Sequence, residues 1–269
     1  MTDKEYNDAP GIRRSALWRM NESPEKYKWF LDHPPEPTPA LVFGSAVHKL
    51  LLEPFDFEDE YAVAPPVDRR TKAGKEAWEE FVRLAGSKTI ITQDDFDTMT
   101  TMVEKANSVP YVRKLLKGKR EVPLFWTDED TGERCKAKLD ILTEMDGRTV
   151  IADYKSAANA KTEVFNNKLF SIGYHLQAYM YTEGAIQALG LTERPDFIFI
   201  VQEKSAPYAV NLIEVTEDVM LAGMDCFREY IGLVHQCKET DFWWGYNGMY
   251  GEPNEAFLPG WMQMGGEED

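Results

Sequence analysis

Three residues near the middle of the chain combine acidic and basic chemistry at a short spacing: Asp140, Asp153 and Lys155. Asp153 and Lys155 are two apart in an apolar segment, so on a β-strand they point to the same side. Between Asp140 and Asp153 lies an Asp-Gly pair at 146–147, which is a strong signal for a hairpin turn. The sequence therefore predicts that a hairpin brings the two aspartates close together.

Two carboxylates that converge at one end of a sheet repel each other unless positive charge lies between them. A divalent cation can supply that charge, and oxygen ligands favour Mg²⁺ or Mn²⁺. Lys155 would stand beside the cation, where it could orient an attacking water or stabilise charge on a phosphate. This is the minimum set for metal-assisted hydrolysis of a phosphodiester, although an acid two residues before a lysine also occurs in strands by chance.

Two further residues could join such a centre. His48 lies in a segment of small and apolar residues that is typical of a closely packed helix, and imidazole is a competent ligand for Mn²⁺. The alternative is that His48 is a core residue with its hydrogen bonds satisfied. Glu121 opens a strand-like segment and could bind the cation directly or through water, or it could simply be a charged strand end.

A helix after Lys155 carries polar groups on one face. Tyr174, Gln177 and Tyr181 are three and four residues apart, so they share that face. Gln177 could order a water or a carboxylate, and Tyr181 could contact a phosphate. The alternative is an aromatic stripe packed on the sheet, which we favour for Tyr174.

The surrounding pattern predicts the elements that position these residues. Apolar spacing and capping signals predict helices at 44–52, 73–85, 92–107, 171–189 and 216–237. Alternating apolar residues and turn signals predict strands at 121–126, 133–142, 149–155, 196–202 and 209–215. The segment 54–72 has no clear period. The order helix, three strands, helix, strand predicts an α/β (α+β) fold with a central mixed β-sheet flanked by helices.

Composition limits the class of protein. The chain has 269 residues with 43% hydrophobic and 28% charged residues, which is typical of a folded domain. Apolar runs are strand-sized, so no membrane helix is expected. The N-terminal residues lack a signal-peptide pattern, and three cysteines are too few for a disulfide framework, so a reducing, cytoplasmic setting is expected.

The net charge of -16 is unfavourable for binding a polyanion. Bound cations could neutralise an acidic site, or basic residues could cluster on one face. Two N-terminal clusters are the candidates for contacting DNA, with a solvated surface as the alternative. They contain Arg13, Arg14, Arg19, Arg69, Arg70, Lys72 and Lys75.

Several motifs occur together in a fixed order. They read YNDAPGIRRSAL from Tyr6, GSAVHKLLLEP from Gly44, AP..DRRTKAGKEA from Ala64, EVPLFW from Glu121, CKAKLDIL from Cys135, IADYKSA from Ile151 and YHLQAYMY from Tyr174. In this set the chain resembles the PD-(D/E)XK nuclease superfamily, in its RecB-like and lambda-exonuclease-like branch. Within that branch it resembles the RecE-type (exonuclease VIII) nuclease domain. The likeness spans about the first four-fifths of the chain.

The resemblance implies a restriction-endonuclease-like αβββαβ core with added N-terminal helices. It implies one nuclease domain over 1–269, with a core at about 40–237 and an aromatic and acidic tail at 241–269. The implied metal ligands are His48, Asp140, Asp153 and the backbone carbonyl of Tyr154. Lys155 is the implied catalytic lysine, Gln177 and Tyr181 match the motif that follows it, and Glu121 matches a recurrent acidic position. The Pro-Asp dipeptide of the superfamily is absent, because Leu139 precedes Asp140.

The resemblance also implies an activity. Such enzymes use Mg²⁺ or Mn²⁺ to degrade one strand of linear double-stranded DNA from its 5' end, and they leave a 3' overhang for a strand-annealing recombinase. They often form rings, so a trimer or tetramer is expected, in a bacterial or phage-infected host cell. The chain would be a stand-alone nuclease domain. The alternatives are an endonuclease, a nuclease subunit of a repair or defence complex, or a non-catalytic DNA-binding module.

Overall fold

The structure is a computed structural model that describes residues 1–257. The end of the predicted tail, residues 258–269, lies outside the described residues. The helices are α1 (Asp3–Asp8), α2 (Arg14–Leu17), α3 (Pro24–Asp32), α4 (Pro39–Leu52), α5 (Phe57–Glu60), α6 (Lys72–Ala85), α7 (Gln93–Ser108), α8 (Pro110–Leu115), α9 (Thr162–Ser171), α10 (Tyr174–Leu189) and α11 (Glu217–Thr240), with a 3-10 turn at Trp18–Asn21. The strands are β1 (Tyr61–Val63), β2 (Thr89–Ile91), β3 (Lys119–Thr127), β4 (Arg134–Met145), β5 (Arg148–Ala157), β6 (Asp196–Glu203) and β7 (Val210–Glu214).

The central sheet has five strands in the order β3-β4-β5-β6-β7. β3, β4 and β5 form an antiparallel meander, β6 joins β5 in parallel, and β7 pairs antiparallel with β6. The parallel step needs a crossover connection, which α9 and α10 supply. The predicted α/β fold with a mixed sheet flanked by helices is confirmed.

Two apolar layers cover the two faces of the sheet. On one side Leu139, Ile151 and Phe199 pack in one cluster with residues of α10 and α11. On the other side Ala152 and Ile200 pack with residues of α4 and α7. Each fully buried leucine, isoleucine or phenylalanine contributes about 1.5–3 kcal/mol relative to an exposed one, so the two layers fix the strands that carry the candidate site.

The helix that carries His48 begins earlier than predicted. α4 starts at Pro39, because Thr38 accepts a hydrogen bond from the backbone N–H of Leu41 at 3.3 Å and Pro39 fits the first helical position. The helix predicted at 171–189 corresponds to α10, which begins three residues later, and the helix α9 before it was not predicted. The two helices are separated at Gly173, which has φ +74, and a Cβ there would lie 2.5 Å from the ring of Trp18.

The segment from 54 to 72 is not wholly irregular. It contains α5 and β1, and β1 pairs in parallel with β2 in a separate two-stranded sheet. Strands of three residues are too short to show a period, which is why the sequence pattern missed them. None of the helices in residues 1–257 is long and apolar enough to cross a lipid bilayer.

Candidate metal centre and active site

Strand register places three acidic residues level with one another on neighbouring strands. Pairing of Arg120 with Ile141 on β3 and β4 continues at Val122 with Leu139, so Glu121 lies opposite Asp140. Pairing of β4 with β5 ends at Ile141 with Ala152, and the next position in the same register sets Asp140 opposite Asp153. The hairpin therefore brings the two aspartates together as the sequence predicts.

The sheet is distorted where these residues meet. Leu139 and Ile141 are two apart on β4, yet they pack in opposite apolar layers. Opposite them, Glu121 has φ +50, which is rare for a residue other than glycine and costs on the order of 1–3 kcal/mol. Alternation of side chains consequently breaks at Asp140, and groups from both sides of the sheet can reach this point.

Asp140 is buried, and one of its carboxylate oxygens faces two hydrogen-bond donors. Its Oδ2 accepts a hydrogen bond from the backbone N–H of Tyr154 at 2.7 Å, which replaces the strand pairing lost beyond Ala152. The same oxygen lies 2.9 Å from Nε2 of His48, which reaches it from α4. Asp140 thus links the end of the meander to the helix on its other side.

His48, Glu121 and Asp140 form a cluster suited to a divalent cation. One ligand atom of each lies within 4.8 Å of the others. Oε1 of Glu121 is buried without a hydrogen-bond partner among the described residues, while Oε2 pairs with Lys138 at 2.5 Å. A buried carboxylate oxygen without a donor is unfavourable unless a cation or water occupies the space beside it. One imidazole nitrogen and carboxylate oxygens also fit the preferences of Mn²⁺ and Mg²⁺.

Asp153 occupies the neighbouring position and is only 1% exposed. Its Oδ2 lies 2.5 Å from Nζ of Lys155, and its Oδ1 accepts a hydrogen bond from Nε2 of Gln177. The ammonium group of Lys155 also lies 5.0 Å from the centre of the Tyr174 ring. The structure therefore brings together the predicted Asp153, Lys155 and Gln177, with Tyr174 as part of their wall.

The charges in the cluster shift one another's ionisation. Burial would lower the pKa of His48, but the carboxylates of Asp140 and Glu121 outweigh it and raise that pKa to about 9. Burial would likewise raise the pKa of Asp140, but the charge of His48 and its hydrogen bonds lower it below the usual value. In the metal-free protein at neutral pH these two groups therefore form an ion pair.

At Asp153 the influences that raise the pKa are stronger than those that lower it. Burial, followed by the charge of Asp140, raises the pKa of Asp153 to about 6 despite the nearby Lys155. Burial would lower the pKa of Lys155, but the charge of Asp153 more than offsets it, so its net pKa is raised. Burial also raises the pKa of Glu121. Carboxylates that are costly to ionise gain most when a cation binds beside them.

The cluster opens into a cleft of about 800 Å³. Tyr181 lines the cleft, and its ring lies 6.5 Å from that of Phe197, so it is both a wall residue and part of the packing on the sheet. Burial raises the pKa of its hydroxyl. A cleft of this size with convergent charged groups is typical of a binding site.

The predicted DNA-contacting residues fall in two places. Arg13 and Arg14 line the cleft, and Arg14 turns inward onto α10. Arg69, Arg70 and Lys72 lie outside it, at the start of α6. The side chains of Arg70 and Lys72 are each 92% exposed, whereas Arg69 stacks on Trp78 at 3.3 Å.

Some residues of the cleft were not identified from the sequence. Lys138 joins Glu121 to Asp3 of α1, and Lys136 is buried and donates to the backbone carbonyls of Tyr6, Asn7 and Ala9 at the end of α1. The available signal was two lysines at alternate positions of an otherwise apolar strand directly before Asp140. Lysine is almost never buried unless paired, so that spacing indicates partners from another element.

Comparison with known proteins is consistent with this geometry. The family described as "PDDEXK-like domain of unknown function (DUF3799)" matches residues 14–250. A solved structure named "Putative exonuclease", from Eubacterium rectale, aligns with a TM-score of 0.64 at 15% identity, covering 100% of this chain and 99% of that one. At that identity the likeness shows a shared fold. The structure of SSO0001 aligns with a TM-score of only 0.38 at 11% identity, covering 84% of this chain and 81% of the other. No curated protein matches.

Proposed function

Because the chain belongs to the PDDEXK-like family DUF3799, we propose that it is a metal-dependent deoxyribonuclease whose centre lies where β3, β4 and β5 meet α4 and α10. The observation that carries the proposal is the buried cluster of His48, Glu121 and Asp140 beside the ion pair of Asp153 with Lys155. No other arrangement of three metal-ligating side chains occurs among the described residues.

The residues divide into two roles. His48, Asp140 and Glu121 would hold the cation, with Asp153 and the backbone carbonyl of Tyr154 as further ligands from β5. A bound Mg²⁺ or Mn²⁺ stabilises negative charge on a phosphate and lowers the pKa of a water. We include Glu121 among the ligands because its Oε1, which has no hydrogen-bond partner among the described residues, belongs to the cluster. The sequence resemblance alone matches Glu121 to a recurrent acidic position and assigns it no definite role.

Lys155 would act as a cation and not as a base. Its raised pKa keeps the ammonium group protonated at neutral pH, so it can donate to a phosphate oxygen and stabilise charge that develops during hydrolysis. Gln177 holds Asp153 from the other side, and Tyr181 lies on the cleft wall where a phosphate would pass. Lys155 and Gln177 together keep the Asp153 carboxylate in one orientation.

The test is digestion of DNA by the purified chain in Mg²⁺ and in Mn²⁺. Asp153→Ala should abolish metal-dependent digestion, while Asp225→Ala, the same change on the exposed side of α11, should retain it. If the unaltered chain digests no DNA in either metal, the proposed activity is wrong.

The finer assignment is an exonuclease on linear double-stranded DNA. It draws on the sequence resemblance to RecE-type nucleases and on the exonuclease designation of the Eubacterium rectale protein. We expect 5'-to-3' digestion that leaves 3' overhangs, a strand-annealing recombinase as partner, and a closed trimer or tetramer. Digestion of end-labelled linear duplexes against covalently closed circles separates this activity from an endonuclease. Equal cleavage of the closed circles would exclude the exonuclease, and light scattering would test the ring.

A further inference from the structure

Arg14 reaches the candidate centre from outside the αβββαβ core. It is the first residue of the short helix α2, yet its guanidinium lies against α10, which follows 160 residues later. Nη2 donates to Oε1 of Gln177 at 3.1 Å, and Nη1 donates to the backbone carbonyl of Ile172 at 3.2 Å. The guanidinium also lies 5.6 Å from the centre of the Tyr174 ring. Three contacts hold this side chain in one place.

The side-chain amide of Gln177 is buried between a hydrogen-bond donor and a hydrogen-bond acceptor. On one side Arg14 can only donate hydrogen bonds, and on the other the ionised Asp153 can only accept them. Only one of the two amide orientations satisfies both, with Oε1 toward Arg14 and Nε2 toward Asp153. The flipped orientation would set two acceptors against each other at Asp153.

We propose that Arg14 is a positioning residue that fixes the amide of Gln177, so that Gln177 holds the Asp153 carboxylate in place to bind the cation. The proposal rests on the proposed function, because it assigns Asp153 to the metal centre. Partners that orient a metal ligand without touching the metal typically change metal affinity by about 10–100-fold when they are removed. Arg14 would act one step further out, through Gln177.

Lysine could not replace this arginine. The planar guanidinium donates along two separate directions, to Gln177 and to the carbonyl of Ile172, and it lies 5.6 Å from the centre of the Tyr174 ring. A lysine ammonium offers one nitrogen on a flexible stem, so it would not make the two hydrogen bonds to Gln177 and Ile172 at the same time. Arg14→Lys therefore keeps the charge of the cleft while it removes the geometry.

The competing role is direct contact with a phosphate, since Arg14 and Arg13 both line the cleft. The two roles differ in what they predict without DNA. Positioning through Gln177 predicts weaker cation binding even when DNA is absent, whereas a phosphate contact leaves cation binding in the absence of DNA unchanged. Arg13 is exposed and donates to Asn7 at 3.4 Å, so it provides a matched charge change without contact with α10.

The experiment measures two dissociation constants for each variant. Mn²⁺ binding is titrated in the absence of DNA, and binding of a blunt duplex is measured by fluorescence anisotropy in Ca²⁺. Arg14→Met and Arg14→Lys should each weaken Mn²⁺ binding about tenfold, while Arg13→Met leaves it unchanged. In a Gln177→Leu background, Arg14→Met should cause no further loss, because both changes break the same link.

An unchanged Mn²⁺ affinity in Arg14→Met, together with weaker duplex binding, would overturn the proposal in favour of a phosphate contact. So would full additivity with Gln177→Leu. The side-chain amide signals of Gln177 in the NMR spectrum of the metal-free protein give a readout that needs no metal. They should shift in Arg14→Met and Arg14→Lys. If they shift while the unaltered chain neither binds Mn²⁺ nor digests DNA, the proposed function fails and the amide contact stands.

Discussion

The ion pair between His48 and Asp140 should make the metal-free protein less stable as the pH rises. The folded pKa of His48 is about 9, above its ordinary value of 6.5. A histidine with a raised folded pKa contributes stability that is fully present below the unfolded pKa and is lost as the pH rises through the folded pKa. The loss should therefore fall between pH 6.5 and pH 9, in a buffer that contains EDTA.

The size of the effect follows from that shift. A difference of 2.5 pKa units at 1.36 kcal/mol per unit corresponds to about 3 kcal/mol of unfolding free energy. For a chain of this length, 1 kcal/mol moves the melting temperature by about 2–4 °C, so the expected fall is on the order of 10 °C. Asp153 does not contribute in this window, because its pKa of about 6 places its titration at lower pH.

Urea unfolding in EDTA at half-unit steps of pH measures this directly. His48→Gln should flatten the pH dependence between 6.5 and 9, Asp140→Asn should remove most of it because Glu121 and Asp153 remain, and the double variant should be no flatter than His48→Gln. NMR can follow the His48 ring as well, since the chain has only four histidines. Its pKa should fall in Asp140→Asn, because the largest charge that opposes burial is removed while Glu121 and Asp153 remain. If His48→Gln loses stability with pH in parallel with the unaltered chain, the ion pair is not the cause and the reasoning is refuted.

Two further outcomes test the site and the packing beneath it. Mn²⁺ at about a hundred times its dissociation constant should stabilise the folded protein by about 2.7 kcal/mol, which raises the melting temperature by roughly 5–10 °C. A thermal shift assay should show that Asp140→Asn abolishes this increase. Gly223→Ala should lower the free energy of unfolding, measured in urea, by about 1–3 kcal/mol, because a Cβ would lie 2.2 Å from the backbone oxygen of His175. Gly232→Ala in the same helix has open space for a Cβ and should raise the free energy of unfolding by about 0.5–1 kcal/mol. A shift retained in Asp140→Asn, or equal changes at the two glycines, would contradict these expectations.

Local sequence signals were sufficient where the structure follows a simple period. The Asp-Gly turn fixes the hairpin, and the hairpin fixes which residue of β4 faces Asp153 on β5. Lys155 then follows from alternation along β5. For Asp153 and Lys155 the pattern in the sequence contains the whole geometric argument, whereas the position of Asp140 follows from the pattern and the direction of its side chain does not.

The remaining parts of the site depend on departures from regular structure. Glu121 reaches the cluster only because its backbone adopts φ +50 and because Leu139 and Ile141, two residues apart on β4, pack on opposite faces of the sheet. A period of two cannot predict such a break. The contact of Arg14 with Gln177 spans 163 positions and depends on how α2 docks on α10, which no local pattern specifies.

The acidic character of the chain is reconciled with binding a polyanion by the composition of the cleft. The whole chain has 30 basic and 46 acidic residues, but the residues lining the cleft include seven lysines and arginines against five aspartates and glutamates. Several of those cations are already engaged, since Lys138 pairs with Glu121 and Lys49 lies 2.8 Å from Glu53. The seven basic residues exceed the five acidic ones by two, so the lining of the cleft is slightly basic within an acidic chain, and each divalent cation that binds would add two positive charges beside it. Under the proposed function, the cation would therefore strengthen the attraction of the substrate in addition to its part in hydrolysis.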